Sequence, residues 1–440
     1  MNQRFAKNVV FNCAQLLRGE QVTERYHEVK NIPYLSSEEI TRLQYEKLRR
    51  VLQAAYDKIP YYREVFRHAR IDIRRMKLPE DMKKIPVLRR QKYKNNYAKL
   101  VNKSMHCRVT REMTSGSSGN PLIVLKDREK SAYIRAVMYR CYHQYGIEIG
   151  DKQARFWGVP VSPQNILKEK LKDMLANRIR LSAFDIHERS LDAFTNRLLK
   201  FRPKYFYGYP SVLHKYAAWL DQREYAIGKE LKLNAVITTG EILYDFQRRA
   251  IQNSFSCPVV NEYGSTELGV IAFECSRGHL HLNADHVYVE TVHDGDLHYN
   301  QLVVTELNNA YNPLIRYQIG DRGNIGRRQC GCGINFPVLS ALVGRDSTFI
   351  VTPDGRYIND AILEYILSGG IRRFRARQTS SKALEINILK EPELSEKMME
   401  NYKQQLSRKL GDSIKITFKF VPEIEPEESG KLRYFISEVN

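Results

Sequence analysis

Apolar residues in LSSEEITRLQYEKLRRVLQAAYDKIP, residues 35–60, recur every three to four positions, the period of one buried helix face. A hydroxyl at Ser36 or Ser37 opens that helix, acids occupy its first turn, and Pro60 closes it. IPYYREVFRHAR then starts a second, shorter helix. From about residue 105 the pattern changes. HCRVTREMTSGSSGNPLIVLKD predicts a strand, a glycine-rich loop and a strand, and DREKSAYIRAVMYRCYHQYG a helix ending at Gly146. ARFWGVPV, KYFYGYPS, LNAVITTGE and PVVNEYGSTE predict strands that run into turns, with helical segments between them. Such alternation predicts an α/β architecture with mixed, largely parallel sheets. Beyond a polar, turn-prone run at VGRDSTF the chain reads as a small α+β unit. The division is set at 1–345 and 346–440, with Asp346 as the hinge of a mobile C-terminal domain.

Composition fits two or more folded domains. The chain has 440 residues, 42% hydrophobic and 10% aromatic, which is ample for globular cores. No apolar run approaches the ~20 residues of a spanning helix. The first residues lack the apolar stretch and cleavage site of a signal peptide, so a cytoplasmic protein is expected, with peripheral membrane attachment left open. Seven scattered cysteines fit a reducing compartment better than a disulfide scaffold. The formal net charge of +20 changes the picture most, since it attracts anionic substrates, an anionic membrane surface or nucleic acid. A solvated basic surface is the plainer account.

Five segments carry candidate chemistry. TSGSSGN offers backbone N–H groups and the hydroxyls of Thr114, Ser115, Ser117 and Ser118, around Gly116 and Gly119, as an anion-holding concavity. It lacks the lysine of a Walker loop and leads into a strand, and a slack linker would look the same. NEYGSTE combines an aromatic for stacking (Tyr263), a glycine (Gly264), two hydroxyls (Ser265, Thr266) and a carboxylate (Glu267) able to hold Mg2+. A β-turn with a solvated glutamate is the alternative. In YNPLIRYQIGDRG, Asp321 suits two ribose hydroxyls, while Arg316 either pairs with a phosphate or braces the loop from behind. VGRDSTF places Arg345 beside Asp346, and EESGKLRYF sets Lys431 after a Ser-Gly turn, a compact cation suited to developing phosphate charge.

Taken in order, TSGSSGNP, GYPS, TTGE, EYGSTE, PLIRYQIGD, VGR and SGK resemble the adenylate-forming superfamily, in particular its phenylacetate–CoA ligase branch and the CapK-like relatives found with capsule biosynthesis. KIPYYREVF near the start fits as well, so the resemblance spans roughly residues 35–437. It implies an N-terminal AMP-binding domain with a C-terminal lid. It also implies ATP-dependent, AMP-forming activation of a carboxylic acid as an acyl-adenylate, followed by transfer to CoA. On this resemblance TSGSSGN closes over the ATP phosphates, Gly240 and Glu241 line the adenine near Tyr263, Asp321 binds ribose and Glu267 holds Mg2+. Lys431 and Arg345 are then catalytic. Trp157 and the series Tyr205, Tyr207, Tyr209 fall where the family builds its acyl pocket, although strand alternation produces the same tyrosine spacing. The hinge reads GRDSTFIV where this branch often has a GRSDDM-like run, which keeps a non-CoA acceptor open.

Cys275, His281, Cys330 and Cys332 supply three soft ligands and an imidazole, a donor set for tetrahedral Zn2+. The C…LH…C-x-C-G pattern of some members of the branch selects His281 over His279. Four protein ligands close such a site, so its role is structural. A tight C-G-C-G turn with a buried Cys275 is the alternative. His143, His187, His286, His293 and His298 read as surface or core residues.

Three functions are therefore weighed: an acid–CoA ligase; an adenylyl- or acyl-transferring enzyme of capsule or polysaccharide synthesis with another acceptor; and, more distantly, a non-catalytic zinc protein docking on RNA or membrane. The motif register disfavours nucleic acid as a partner. A homodimer fits the habits of the branch.

Overall fold

The structure is a computed structural model that describes residues 1–113, 122–158, 163–183, 188–293, 299–326, 330–345, 349–354, 357–367, 370–425 and 434–439. The first long helix, Ser37–Lys58, begins with a capping box: Ser36 Oγ accepts from the Glu39 N–H and Glu39 Oε2 from the Ser36 N–H. Pro60 then opens the next helix, Pro60–His68, at the position where its missing N–H is harmless. Strands β1 (Thr110–Met113) and β2 (Ile123–Lys126) pair antiparallel on either side of the glycine–serine run.

The main sheet contains β3 (Gln153–Trp157), β4 (Arg178–Ser182), β5 (Tyr205–Gly208), β6 (Ala235–Thr239), β7 (Val259–Ser265), β8 (Gly269–Glu274) and β9 (Leu280–Leu282). It continues with β10 (Val287–Val292), β11 (Asn300–Glu306), β12 (Tyr317–Gly326) and β13 (Val338–Arg345). These eleven strands lie in the order β10-β11-β12-β13-β9-β8-β7-β6-β5-β3-β4. β4, β3, β5, β6 and β7 are parallel, while β7, β8, β9 and β13 alternate in direction. The sheet is mixed, as the alternation of elements predicts.

Period-2 alternation divides the parallel strands between two cores. Ala154, Phe156, Phe206 and Val236 face a cluster with Leu198, Leu213 and Tyr216. Ala235, Ile237 and Val260 face the helix Arg128–His143, where Ala136, Val137 and Tyr142 are buried. The chain leaves β3 for β4 on one side and β5 for β6 on the other. The crevice at the C-terminal ends of β3 and β5 is thus a topological switch point, the usual place for a ligand in an open α/β sheet.

The C-terminal region has its own sheet of β16 (Ile371–Ser380), β17 (Ala383–Lys390), β18 (Lys415–Phe420) and β19 (Phe435–Ser437), preceded by the small pair β14 (Phe349–Val351) and β15 (Tyr357–Asn359). Phe374, Ile386 and Ile388 pack there with Leu406 and Leu410 of the helix Glu396–Leu410. By compactness the chain divides into 1–292 with 301–319 and 323–341, and 293–300 with 320–322 and 342–440.

Candidate functional site

NEYGSTE lies at the end of β7 and in the turn to β8. The turn is held by close backbone approach, since a Cβ on Gly264 would meet the Gly269 carbonyl oxygen at 2.3 Å. Gly269 itself has φ +72°, a conformation that favours glycine. Ser265 Oγ accepts from the Leu268 N–H at 3.2 Å, which leaves Thr266 as the exposed hydroxyl of the turn. Glu267 is buried, with Oε1 at 3.5 Å from the Tyr317 hydroxyl and 4.0 Å from Arg90. It is therefore not a solvated turn glutamate, and the neighbouring cation is one that the sequence motif did not reveal. Tyr263 is buried in β7.

At the end of β6, Gly240 takes φ +79°. Glu241 Oε2 accepts from the Ser211 N–H at 3.1 Å, near the start of the helix Pro210–Gln222. Glu241 thereby ties TTGE to GYPS. Arg316 resolves to its bracing role: it pairs with Glu290 at 3.0 Å and donates to the carbonyls of Lys83 and Ile85. Asp321 lies in β12 and is partly exposed. Thr114, Ser115, Gly116, Ser117, Ser118, Gly119, Asp346 and Lys431 lie outside the described residues, as does the Arg345 side chain.

On the face of the sheet toward Arg128–His143, a polar cluster occupies the strand ends. Glu262 is buried one residue before Tyr263 and accepts from the hydroxyls of Tyr142 and Tyr207, each at 3.0 Å. Burial raises its carboxyl pKa, opposed by the hydrogen bonds from Tyr142 and Tyr207. Trp157 stacks on Tyr209 with ring centroids 4.2 Å apart and on Tyr207 at 5.7 Å. Tyr205 turns its hydroxyl to Gln153 instead. Arg155 lies over the Trp157 and Tyr207 rings, 4.5 and 5.1 Å from their centroids. Sequence reading missed Arg155 and Glu262. The available signal was a charged residue within a strand-forming run.

The four sulfur and imidazole ligands converge. Ligand atoms of Cys275, His281, Cys330 and Cys332 all lie within 4.8 Å of one another. Cys275 follows β8, His281 is in β9, and the other two cysteines precede β13, which pairs with β9. The Cys275 and Cys330 sulfurs are 3.7 Å apart, and Cys332 Sγ is 3.4 Å from His281 Nε2. Tetrahedral zinc at its usual bond lengths sets ligand separations of about 3.8 Å for S···S and about 3.6 Å for S···N. His281 Nδ1 lies 2.9 Å from the Phe336 carbonyl, which can only accept, so Nδ1 carries the proton and Nε2 presents its lone pair to the cluster. The donor set, spacing and tautomer all fit zinc. His279 Nδ1 also lies 3.4 Å from Cys330 Sγ, outside the four-ligand set. His143 is exposed and bound to Glu148, His286 is buried against the Leu268 carbonyl, and His293 is exposed. His187 and His298 lie outside the described residues.

The fold is that of the acyl-CoA ligases of the adenylate-forming superfamily: a 2-hydroxyisobutyryl-CoA ligase, solved in its postadenylation state with R3-HIB-AMP, superimposes with a TM-score of 0.72 at 17% identity, over 93% of this chain and 91% of that one. Residues 350–438 match the CapK C-terminal domain. Protein CapK of Staphylococcus aureus is 21% identical over 434 residues, covering 94% of this chain and 92% of CapK. A phenylacetate-coenzyme A ligase of Thermus thermophilus is 22% identical over 329 residues, 72% of this chain and 73% of that enzyme. The resemblance read from the motifs is thus upheld along the chain.

Proposed function

We propose that this protein is an AMP-forming acid–thiol ligase that activates a carboxylic acid with ATP and passes the acyl group to CoA. Similarity to CoA ligases along most of the chain carries the reading. In the first step a carboxylate oxygen attacks the α-phosphorus of ATP and the bond to pyrophosphate breaks. In the second the thiol sulfur attacks the acyl carbon, AMP departs, and the thiol proton is released. Little covalent chemistry is asked of the protein, so positioning and charge dominate.

TSGSSGN holds the phosphates, Thr266 donates to one of them, and Gly240, Glu241 and Tyr263 bound the adenine. Asp321 takes the ribose hydroxyls. Glu267 would hold Mg2+, which would neutralise phosphate charge. Lys431 stabilises the adenylation transition state, Arg345 is a further catalytic residue, and Asp346 is the hinge for the second step. The +20 charge suits polyanionic ATP and CoA.

The test is pyrophosphate release with ATP and Mg2+ over a panel of acids, with and without CoA. Acid-dependent release that falls at least about a hundredfold in Lys431→Ala supports adenylation. A CoA-dependent thioester fixes the acceptor. Release with no thioester favours another acceptor, as in capsule or polysaccharide synthesis. Silence across the panel with no ATP binding rejects the enzyme.

The cysteine–histidine cluster is proposed to hold one structural Zn2+. Elemental analysis is expected to find about one equivalent in the wild type and none in Cys332→Ser.

A specific patch supports attachment to an anionic membrane. Among the described residues no helix is long and apolar enough to cross a membrane. Phe5, Val9, Leu16 and Leu17, with Leu167, Leu171 and Met174 of the touching helix Pro163–Leu175, are nevertheless exposed. Arg4, Lys7, Arg18, Lys170 and Lys172 lie on the same helical segments, with Lys7 paired to Glu148 and Lys172 to Glu169, a basic–apolar combination suited to acidic lipid. Co-sedimentation with phosphatidylserine vesicles but not with neutral ones is expected. A stable homodimer in light scattering with no vesicle binding would assign the patch to a second copy instead.

A further inference from the structure

We propose that the acid activated by this protein carries a second carboxylate, and that Arg155 is the residue that binds it. The inference rests on the ligase reading for its reaction but on Arg155 for its substrate class.

Arg155 sits in the middle of β3, two residues before its C-terminal end at the switch point, on the face opposite Ala154 and Phe156. Its contacts among the described residues are two aromatic rings, Trp157 and Tyr207, and its charge also reaches the buried Glu262, with which it forms no ion pair. Its Nε is shielded from solvent and has no hydrogen-bond acceptor. Ring faces attract a guanidinium but accept none of its in-plane hydrogen bonds, so the edge of the fork is left for a ligand.

The neighbouring strand provides an internal control. Arg180 of β4 lies directly opposite Arg155 in the parallel register, and Arg178 lies opposite Gln153. Arg180 pairs with Glu169 at 2.7 Å and Asp173 at 3.0 Å, and Arg178 also pairs with Asp173. Three arginines thus share one face, and two have carboxylates supplied by the chain. Burial, followed by the charges of Arg178 and Arg180, disfavours the Arg155 cation, whereas Tyr207 favours it. Glu262 compensates only in part: burial, which favours its neutral form, outweighs the Arg155 charge that favours its anion, and its oxygens are engaged by Tyr142 and Tyr207. A guanidinium cannot escape by deprotonation. The missing anion is therefore the ligand's, and the planar fork matches a carboxylate bidentately. The stacked Trp157, Tyr207 and Tyr209 rings beside Arg155 offer apolar surface for the body of the acid.

The test compares matched acids, phenylacetate with 4-carboxyphenylacetate and hexanoate with adipate, in pyrophosphate release. The wild type is expected to favour the diacid of each pair in kcat/KM by about tenfold or more. Arg155→Gln should collapse that ratio, and Arg155→Lys should restore it in part, keeping charge but losing the fork. A second readout needs no turnover. In Trp219→Phe the remaining tryptophan is Trp157, and diacids should change its fluorescence saturably where monoacids do not. Adding Arg155→Gln should abolish that response. Preference for monoacids, or a diacid ratio unchanged in Arg155→Gln, overturns the proposal. So does the absence of a diacid-specific fluorescence change. Should every acid fail to release pyrophosphate, the ligase reading falls, and the titration still decides Arg155.

Discussion

Arg140, buried, and Arg155, half-buried, lie on the same side of one sheet, both against aromatic rings, and their surroundings differ above all in counter-charge. Arg140, on the helix Arg128–His143, grips Asp285 through both terminal nitrogens at 2.8 and 2.9 Å. It also donates to Asn283 and to the Val29 carbonyl. Asp285 accepts from Tyr133 as well, and Lys47 donates to Tyr133 and to the Asp285 carbonyl. That network leaves only Nε of Arg140 without a partner. Arg155 has two rings and no ion pair, with Glu262 feeling its charge only at longer range. A buried cation closed by its own chain holds structure together, and one left open awaits a ligand. The contrast separates a stability device from a recognition device without reference to any relative.

The largest way to break the comparison is to open the closed arginine. Asp285→Ala leaves Arg140 buried without its counter-charge and should cost about 3–5 kcal/mol, read from the urea midpoint. Acid should strain the same network. Burial holds His286, which stacks on Tyr133, at a pKa of about 4, below the usual 6.5. The unfolded chain therefore binds more protons than the folded one between those values. Stability should fall as pH drops from 6.5 to 4, by about 1.4 kcal/mol per unit at most. His286→Gln should flatten that slope. Asp285, held at about 2 by Arg140 against the cost of burial, adds a separate loss only below 3.8. Lys47→Met should cost about 2 kcal/mol, since it removes a buried charged donor from three acceptors. The smallest effect is expected at the open arginine: Arg155→Leu should leave the thermal midpoint unchanged or slightly raised, because no ion pair is broken. A large loss there would erase the distinction.

Local devices were legible from the sequence. Ser36 and Glu39 announce the capping box, the glycine–serine run is flanked by the two strands its neighbours predict, and the three cysteines and the histidine that converge are chemically distinctive. Long-range pairings were not. Nothing near residue 140 names Asp285, and nothing in YNPLIRYQ reveals that Arg316 reaches back to Lys83 and Ile85. Such contacts depend on how strands are ordered, which periodicity does not encode. The open state of Arg155 was hidden for a related reason. The charge is visible in ARFW, but its lack of a carboxylate emerges only once β4 is laid beside β3.

The strand order also bears on how the chain is made. Strands β3 to β9 emerge from the ribosome able to join their neighbours, with β9 left at the margin until Val338 and Leu339 arrive to pair with it. For some fifty residues of synthesis that margin is an open template for another nascent chain. The ligands straddle the same seam, Cys275 and His281 on the early side, Cys330 and Cys332 on the late. On the proposed zinc site, an ion captured as the late cysteines appear would latch the two halves before translation ends, and zinc starvation would then show first as aggregation during synthesis.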